Sequence, residues 1–98
     1  MTFDISMTEE LIIAHAAEAG TDFLIYTGNY CGYCTAAKRL FEQKSLTFKE
    51  INFDEYPDIR NDVVTTTGRR TVPVIFDLRG KTPMYIGGFD ETTRYLKK

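Results

Sequence analysis

The chain has 98 residues and a formal net charge of −2. This length fits a single domain over residues 1–98, with a modest core. Surfaces that bind nucleic acid or anionic membranes usually carry a basic excess, so the charge argues against both partners. No stretch is long enough to cross a membrane, and the N-terminus lacks the pattern of a secretory signal. We therefore expect a cytoplasmic, reducing setting.

The first predicted element is a helix that begins with a capping box. Ser6 is suited to be the N-cap and Glu9 to reach back to it. The alanine-rich stretch that follows favours helix until Gly20. His15 receives no role, because a lone histidine in such a helix is usually a surface or packing residue. The apolar run over residues 22–27 then predicts a central strand.

The only two cysteines, Cys31 and Cys34, lie where this strand gives way to a helical pattern that starts at about Gly32. Residues three apart on a helix have Cβ atoms roughly 5–6 Å apart, so a small adjustment permits a disulfide. Cys31 would face unpaired backbone N–H groups and the positive end of the helix dipole, which favour a thiolate. Cys31 is therefore the candidate nucleophile, and the more buried Cys34 would resolve a mixed disulfide formed there.

Three other interpretations of the cysteine pair are a zinc site, a structural disulfide and two inert cysteines. A structural zinc site needs about four ligands, and His15 is the only other residue of the cysteine or histidine type. A structural disulfide between residues three apart would remove little entropy from the unfolded chain. Two inert buried cysteines remain an alternative, although a CxxC pair in a reducing compartment is more often catalytic than structural.

Helix and strand patterns continue after the cysteines. The motif helix runs to about Lys44, and alternation of apolar and polar residues over residues 47–53 predicts a second strand. Pro57 suits the first turn of a third helix, which ends before Gly68. A helix between the first two strands implies a right-handed crossover and a parallel pair.

The remaining chain predicts a hairpin and a terminal helix. Its strands fall over residues 73–77 and 83–86, with a turn between them. Asp90 is a candidate N-cap for the last helix. Two glycines, Gly87 and Gly88, allow a ligand to approach that helix N-terminus, whose N–H groups favour a carboxylate. A simple turn and cap explains the same residues equally well.

A proline opens the first hairpin strand, after the run Arg69-Arg70-Thr71. A cis Val72–Pro73 bond would let Val72 offer its N–H and C=O to an extended peptide ligand. An ordinary edge-strand proline is the alternative.

Together these segments resemble the glutaredoxin family over nearly the whole chain, from residue 22 to residue 98. The resemblance rests on three motifs: Cys31-Gly32-Tyr33-Cys34 after a strand, Thr71-Val72-Pro73 about forty residues later, and Gly87-Gly88-Phe89-Asp90 after a hairpin. It implies an α/β, thioredoxin-like fold in which a four-stranded mixed sheet is flanked by helices, here with an N-terminal helix. It also implies a glutathione groove beside the first cysteine.

The resemblance further assigns residues to glutathione. Val72 would pair its backbone with the cysteinyl part, beside a cis Pro73, and Tyr33 would line the groove. The γ-glutamyl end would be held at the last helix, and an arginine before Thr71 would meet the glycyl carboxylate. The full set of implied glutathione-binding residues is Tyr33, Arg69, Arg70, Thr71, Val72, Pro73, Gly88, Phe89 and Asp90.

Two positions depart from the family pattern. Many members have lysine three residues before the first cysteine, where this chain has Gly28. One electrostatic contact is therefore missing unless Arg69, Arg70 or Lys38 replaces it. The second departure is Gly32, where proline is more usual. In the family, a small residue there accompanies some members that bind a [2Fe-2S] cluster between two monomers, through the first cysteine of each and two glutathiones.

The resemblance implies a monomeric, glutathione-dependent thiol–disulfide oxidoreductase that needs no metal. Its substrates would be disulfide-containing or glutathionylated proteins. Two alternatives stay open: a dimer that binds a [2Fe-2S] cluster through Cys31, and a thioredoxin-like reductant served by a flavoprotein reductase. Thioredoxin itself is less similar, because the chain has no tryptophan and has Gly-Tyr between its cysteines.

Overall fold

The computed structural model of the chain describes residues 7–97, with side chains from residue 10 onward. The predicted capping box of Ser6 and Glu9 falls outside the described side chains. Every other predicted element is present, and the strand ends differ by one residue. In the part of the chain described, no helix is long and apolar enough to span a membrane. The elements are α1 (Met7–Ala19), β1 (Phe23–Thr27), α2 (Gly32–Gln43), β2 (Phe48–Asn52), α3 (Pro57–Thr67), β3 (Val74–Asp77), β4 (Met84–Gly87) and α4 (Phe89–Leu96).

The four strands form one mixed sheet in the order β2-β1-β3-β4. β1 and β2 are parallel, with Phe23 opposite Phe48 and Thr27 opposite Asn52. This pairing confirms the parallel pair predicted from a helix lying between two strands. β3 is antiparallel to both β1 and β4, so the last two strands form the predicted hairpin. The mixed sheet with flanking helices is therefore the architecture that the family resemblance implied.

β1 lies inside the sheet, and all five of its residues are buried. Because side chains alternate along a strand, Leu24 and Tyr26 pack in the apolar layer under α1 and α3. Phe23 and Ile25 pack in the opposite layer, under α2 and α4. A strand buried on both faces must be apolar throughout, which is why it was visible in the sequence. The helix that carries the cysteines rests on the second layer.

His15 pairs with the buried Tyr26 under α1. Its Nδ1 atom lies 2.9 Å from the Tyr26 hydroxyl oxygen. Burial lowers the pKa of His15 and raises the pKa of Tyr26, so both shifts favour the uncharged forms. His15 is thus a packing residue, in agreement with the sequence interpretation.

α4 is fastened to the sheet at Asp77, the last residue of β3. The Tyr95 hydroxyl donates to Asp77 Oδ2 at 2.6 Å, and the Arg79 guanidinium donates to both carboxylate oxygens at 3.0 Å. Burial alone would raise the pKa of Asp77, but the hydrogen bonds from Arg79 and Tyr95 outweigh it and hold the pKa below its usual value. Asp77 is therefore a charged, fully paired anchor for α4.

We expect Tyr95→Phe to lower the free energy of unfolding by about 1.5–3 kcal/mol, because it removes a hydrogen bond to a charged group. The ring stays, so apolar packing changes little. Tyr85→Phe is the matched control, since Tyr85 lies on neighbouring β4 and is 40% exposed. Urea unfolding of both variants measures the difference. Equal stability of the two would contradict the anchoring role of Asp77.

The N-cap of α4 is Gly88, so the prediction of Asp90 was wrong. Glu91 decides the start of the helix, because its carboxylate accepts the Gly88 N–H at 2.8 Å, in the manner of a capping box. Gly87 has a φ of 130°, and a Cβ there would lie 2.9 Å from the Glu91 side chain. Glycine is therefore required at Gly87. Asp90 lies in the first turn, where its charge suits the helix dipole.

Candidate active site

The two cysteines lie at the start of α2. Cys31 is the N-cap residue, with extended backbone angles, and Cys34 lies in the first turn. The preceding turn is held in place by Asn29, whose N–H donates to the Asp54 carboxylate. Tyr30 completes the turn with a φ of 55°. The strand-to-helix junction therefore delivers Cys31 to the helix N-terminus, as the sequence predicted.

Cys31 and Cys34 are joined by a disulfide, with their Cα atoms 5.2 Å apart. Cys31 is half-buried, whereas Cys34 is only 2% exposed. Only the outer sulfur is therefore open to an incoming substrate. This asymmetry agrees with the roles predicted for the pair, in which Cys31 attacks and Cys34 resolves.

The N-terminus of α2 stabilises negative charge on the outer sulfur. The Cys34 N–H donates to Cys31 Sγ at 3.1 Å. The first turn of α2 carries no acidic side chain, so no carboxylate there opposes a thiolate. Backbone N–H groups and the helix dipole both favour an anion at this position. Once reduced, Cys31 is therefore suited to act as a nucleophile and as a leaving group.

The loop before β3 brings a free backbone edge beside this sulfur. The Val72–Pro73 bond is cis, as the resemblance implied, and the Val72 carbonyl oxygen lies 3.7 Å from Cys31 Sγ. Within residues 7–97, neither backbone group of Val72 pairs with another backbone group. An unpaired extended segment of this kind can hydrogen-bond an extended peptide.

A groove of about 360 Å³ runs between this loop and the N-terminus of α4. Seven of the nine residues predicted to contact glutathione line it, together with Glu91, which was not predicted. The spacing of Glu91 from Gly88 is that of a capping box, and this is the signal that could have found it. The residues lining the groove are Tyr33, Arg69, Thr71, Val72, Pro73, Phe89, Asp90 and Glu91.

Two predicted contacts, Gly88 and Arg70, do not line this groove. Gly88 lies directly against the guanidinium of Arg69, with which a Cβ at Gly88 would collide. Arg70 is exposed, and its carbonyl oxygen accepts a hydrogen bond from Arg60 at 3.0 Å. Of the two arginines, Arg69 is therefore the one placed for a ligand in the groove.

Arg69 supplies the positive charge of the groove. Its Nη2 atom lies 3.6 Å from Glu91 Oε1. Its Nε atom is buried and has no hydrogen-bond partner within the described residues. A buried donor without a partner is unfavourable, and a ligand carboxylate at this place would satisfy it with a strong, charge-assisted hydrogen bond.

Aromatic side chains form the other wall of the groove. The rings of Tyr33 and Phe89 lie 6.0 Å apart, and Tyr33 is 64% exposed. Phe89 and Asp90 are the first two residues of α4, so this wall ends at a helix N-terminus, which favours an anion. The groove thus combines the backbone of Val72 with the Arg69 guanidinium, which lies against the N-terminus of α4.

A second, polar cavity of about 430 Å³ also opens on the disulfide and shares no lining residue with the groove. It is lined by Cys31, Cys34 and, among others, Lys38 and Glu50. Lys38 Nζ lies 3.1 Å from Glu50 Oε2. Gly28 lines this cavity at the position where many members of the family have lysine. Lys38 is the only one of the three candidate replacements that lines the cavity.

Within the described part of the chain, no three side chains of the His, Cys, Asp and Glu types come together as a metal site. Two cysteines provide too few ligands for a [2Fe-2S] cluster. The cluster alternative therefore depends on ligands from a second chain and from glutathione.

Comparison with known proteins agrees with this geometry. Residues 23–81 match the family model described as Glutaredoxin. Glutaredoxin-C6 of Oryza sativa subsp. japonica is 38% identical over 87 residues, which cover 84% of this chain and 74% of that protein. A glutaredoxin of Ricinus communis is 34% identical over 92 residues, covering 91% and 80%. The solved buckwheat glutaredoxin–glutathione complex is 25% identical, with a TM-score of 0.76 over 93% of this chain and 80% of that one. The predicted thioredoxin-like fold is thereby confirmed.

Proposed function

We propose that this chain, which belongs to the glutaredoxin family and is a thiol–disulfide oxidoreductase, takes glutathione as its reductant. The observation that carries the proposal is the groove beside Cys31. Within residues 7–97, its Arg69 Nε atom has no hydrogen-bond partner and the Val72 backbone pairs with no other backbone group. Glutathione is a short extended peptide with a carboxylate at each end, so its chemistry matches these groups. The buckwheat relative solved in complex with glutathione gives further support.

In the proposed complex, the cysteinyl part of glutathione pairs with the backbone of Val72, which places its sulfur near Cys31. The glycyl carboxylate meets Arg69. The γ-glutamyl end lies at the N-terminus of α4, beside Phe89 and Asp90, where backbone N–H groups of the first helical turn donate to its carboxylate. Binding of glutathione by this arrangement selects the glutathione half of a mixed disulfide.

The proposed reaction begins when the Cys31 thiolate attacks the glutathione sulfur of a glutathionylated protein. The protein thiolate leaves and takes up a proton, and Cys31 is left bonded to glutathione. A second glutathione thiolate then attacks the bound glutathione sulfur, so that glutathione disulfide leaves and the Cys31 thiolate returns. For a protein disulfide, the Cys31 thiolate attacks one sulfur and the other sulfur leaves as a thiolate. The Cys34 thiolate then attacks Cys31 Sγ, the bond between Cys31 and the protein breaks, and the second protein thiolate leaves. Two glutathiones then reduce the Cys31–Cys34 disulfide and leave as glutathione disulfide. In this proposal the protein acts as a monomer and works in the cytoplasm.

The test is turnover of a glutathionylated peptide by glutathione, followed through NADPH consumption by glutathione reductase. We expect Arg69→Met to raise the KM for the glutathionylated peptide by roughly 10- to 100-fold, the effect of losing one hydrogen bond to a charged group. Because the chemistry at Cys31 is untouched, kcat should change little.

Arg39→Met is the matched control, since Arg39 is exposed on α2 and lines neither the groove nor the polar cavity. Equal KM values for the two variants would contradict the role of Arg69. If β-mercaptoethanol or free cysteine reduced the peptide as fast as glutathione does, glutathione recognition itself would be contradicted.

A further inference from the structure

The polar cavity beside the disulfide contains an ion pair that the groove for glutathione does not use. Glu50 lies on β2 and Lys38 on α2, and both line the cavity together with Cys31 and Cys34. Neither residue contacts the groove. The pair therefore lies where it can act on the attack of Cys34 on a mixed disulfide at Cys31. The inference rests on this proposed route, in which Cys34 is the resolving cysteine.

The carboxylate of Glu50 is held in one orientation. Its Oε2 atom accepts a hydrogen bond from the Thr27 hydroxyl at 2.7 Å and from Lys38 Nζ at 3.1 Å. Its Oε1 atom accepts from Lys38 Nζ at 3.2 Å. Thr27 is itself 1% exposed, so this hydrogen bond comes from a buried residue of β1. A carboxylate oxygen has two lone pairs, and Oε1 therefore keeps one free for a water in the cavity.

Cys34 needs a proton acceptor during resolution. Its thiol must become a thiolate before it can attack Cys31 Sγ. Cys34 is 2% exposed, and burial disfavours the charged form of a thiol. The backbone donor at the helix N-terminus, the Cys34 N–H, points to Cys31 Sγ instead. Cys34 thus lacks the support that Cys31 has, while a fixed carboxylate lines the same cavity.

We propose that Glu50 accepts the Cys34 proton through a water molecule in the polar cavity. The Cys34 S–H bond breaks, its proton passes to the carboxylate, and the new thiolate attacks Cys31 Sγ. The bond between Cys31 and the substrate sulfur then breaks, and the substrate leaves as a thiolate. The protein dithiol is oxidised to the disulfide and the substrate disulfide is reduced. Lys38 and Thr27 are positioning residues, and a cavity of this polarity and size holds water.

Among the residues that line the polar cavity, Lys38 is the charged group that contacts Glu50, from α2. The two cysteines line the same cavity at the start of that helix. Asp54, in the loop after β2, is engaged by the Asn29 N–H at the rim of the cavity. The carboxylate of Glu50 is therefore the acceptor that shares the lining of the cavity with Cys34.

The experiment separates the two sulfur steps with 2,2′-dithiodipyridine, mixed in equal amount with the fully reduced protein. Attack by Cys31 releases one thiopyridone, and resolution by Cys34 releases a second. The absorbance of thiopyridone therefore rises in two phases. We expect Glu50→Gln to leave the first phase unchanged and to slow the second by roughly 100-fold at mildly acidic pH, the lower end of the effect of general-base catalysis. The difference in second-phase rate between Glu50→Gln and the unaltered protein should become smaller as the pH rises, because hydroxide can then take the Cys34 proton.

Two variants complete the design. Glu50→Asp keeps a carboxylate that can reach the same water, so most of the second-phase rate should return. Glu42→Gln makes the same chemical change at an exposed position on α2 and should behave like the unaltered protein. A second phase in Glu50→Gln that is unchanged or faster would overturn the proposal. A second phase as slow in Glu50→Asp as in Glu50→Gln would also overturn the proposal, because a carboxylate at this position would then not restore the rate.

This test does not depend on glutathione. If the protein failed to use glutathione but Glu50→Gln still slowed the second phase, the inference would stand and the proposed reductant would fall. If turnover with glutathione were normal but the second phase ignored Glu50, only the inference would fall. A normal first phase in each variant shows that the site is folded.

Discussion

Replacing Cys31 with serine is expected to abolish turnover of a glutathionylated peptide by glutathione, with a loss of roughly a thousand-fold or more. Cys31 is the N-cap of α2, and it is the more accessible of the two sulfurs. A serine hydroxyl at this helix N-terminus does not ionise at neutral pH and cannot form the mixed disulfide. The measurement is initial velocity in the coupled assay with glutathione reductase.

Cys34→Ser is the matched variant for this prediction. Glutathione itself can resolve the mixed disulfide at Cys31, so we expect Cys34→Ser to keep most of the activity on the glutathionylated peptide. Loss of activity in both variants would contradict the route that uses one cysteine. Activity retained in Cys31→Ser would contradict the assignment of the nucleophile.

The second large effect is expected on stability. Phe41→Ala should lower the free energy of unfolding by about 3–5 kcal/mol, because it leaves a cavity in the core. Phe41 is fully buried on α2, and its ring stacks on that of Phe23 with the centroids 4.6 Å apart. Domains of this size are stable by only about 5–15 kcal/mol. The substitution should therefore remove a large share of the stability, measured by urea unfolding.

Tyr56→Ala is the control for Phe41→Ala. It deletes a ring of similar size, but Tyr56 is 54% exposed, so the expected loss is within about 0.5 kcal/mol. If Phe41→Ala cost no more than this control, α2 would not depend on Phe41 for its contact with the sheet. The cysteine-bearing N-terminus of α2 would then be held by other contacts.

The helices and strands could be predicted because their signals are local. Burial on both faces made β1 a continuous apolar run, and Pro57 and Gly68 marked the two ends of α3. The cysteine spacing likewise predicted one accessible and one buried sulfur at a helix start. The start of α4 was misplaced at Asp90, because the Glu91 carboxylate, three residues beyond Gly88, sets that cap.

The chemistry can be read from local sequence: two sulfurs lie three residues apart at a strand-to-helix junction. The partners of those sulfurs, in contrast, depend on how the chain packs. The tertiary structure placed Val72 beside Cys31 and Arg69 rather than Arg70 in the groove. It also joined Glu50 to Lys38 in a cavity that no local pattern predicted. Such contacts join residues that are far apart in the chain, and their geometry follows from how the helices pack across the sheet. Short-range periodicity indicates only which face of a helix or strand is buried.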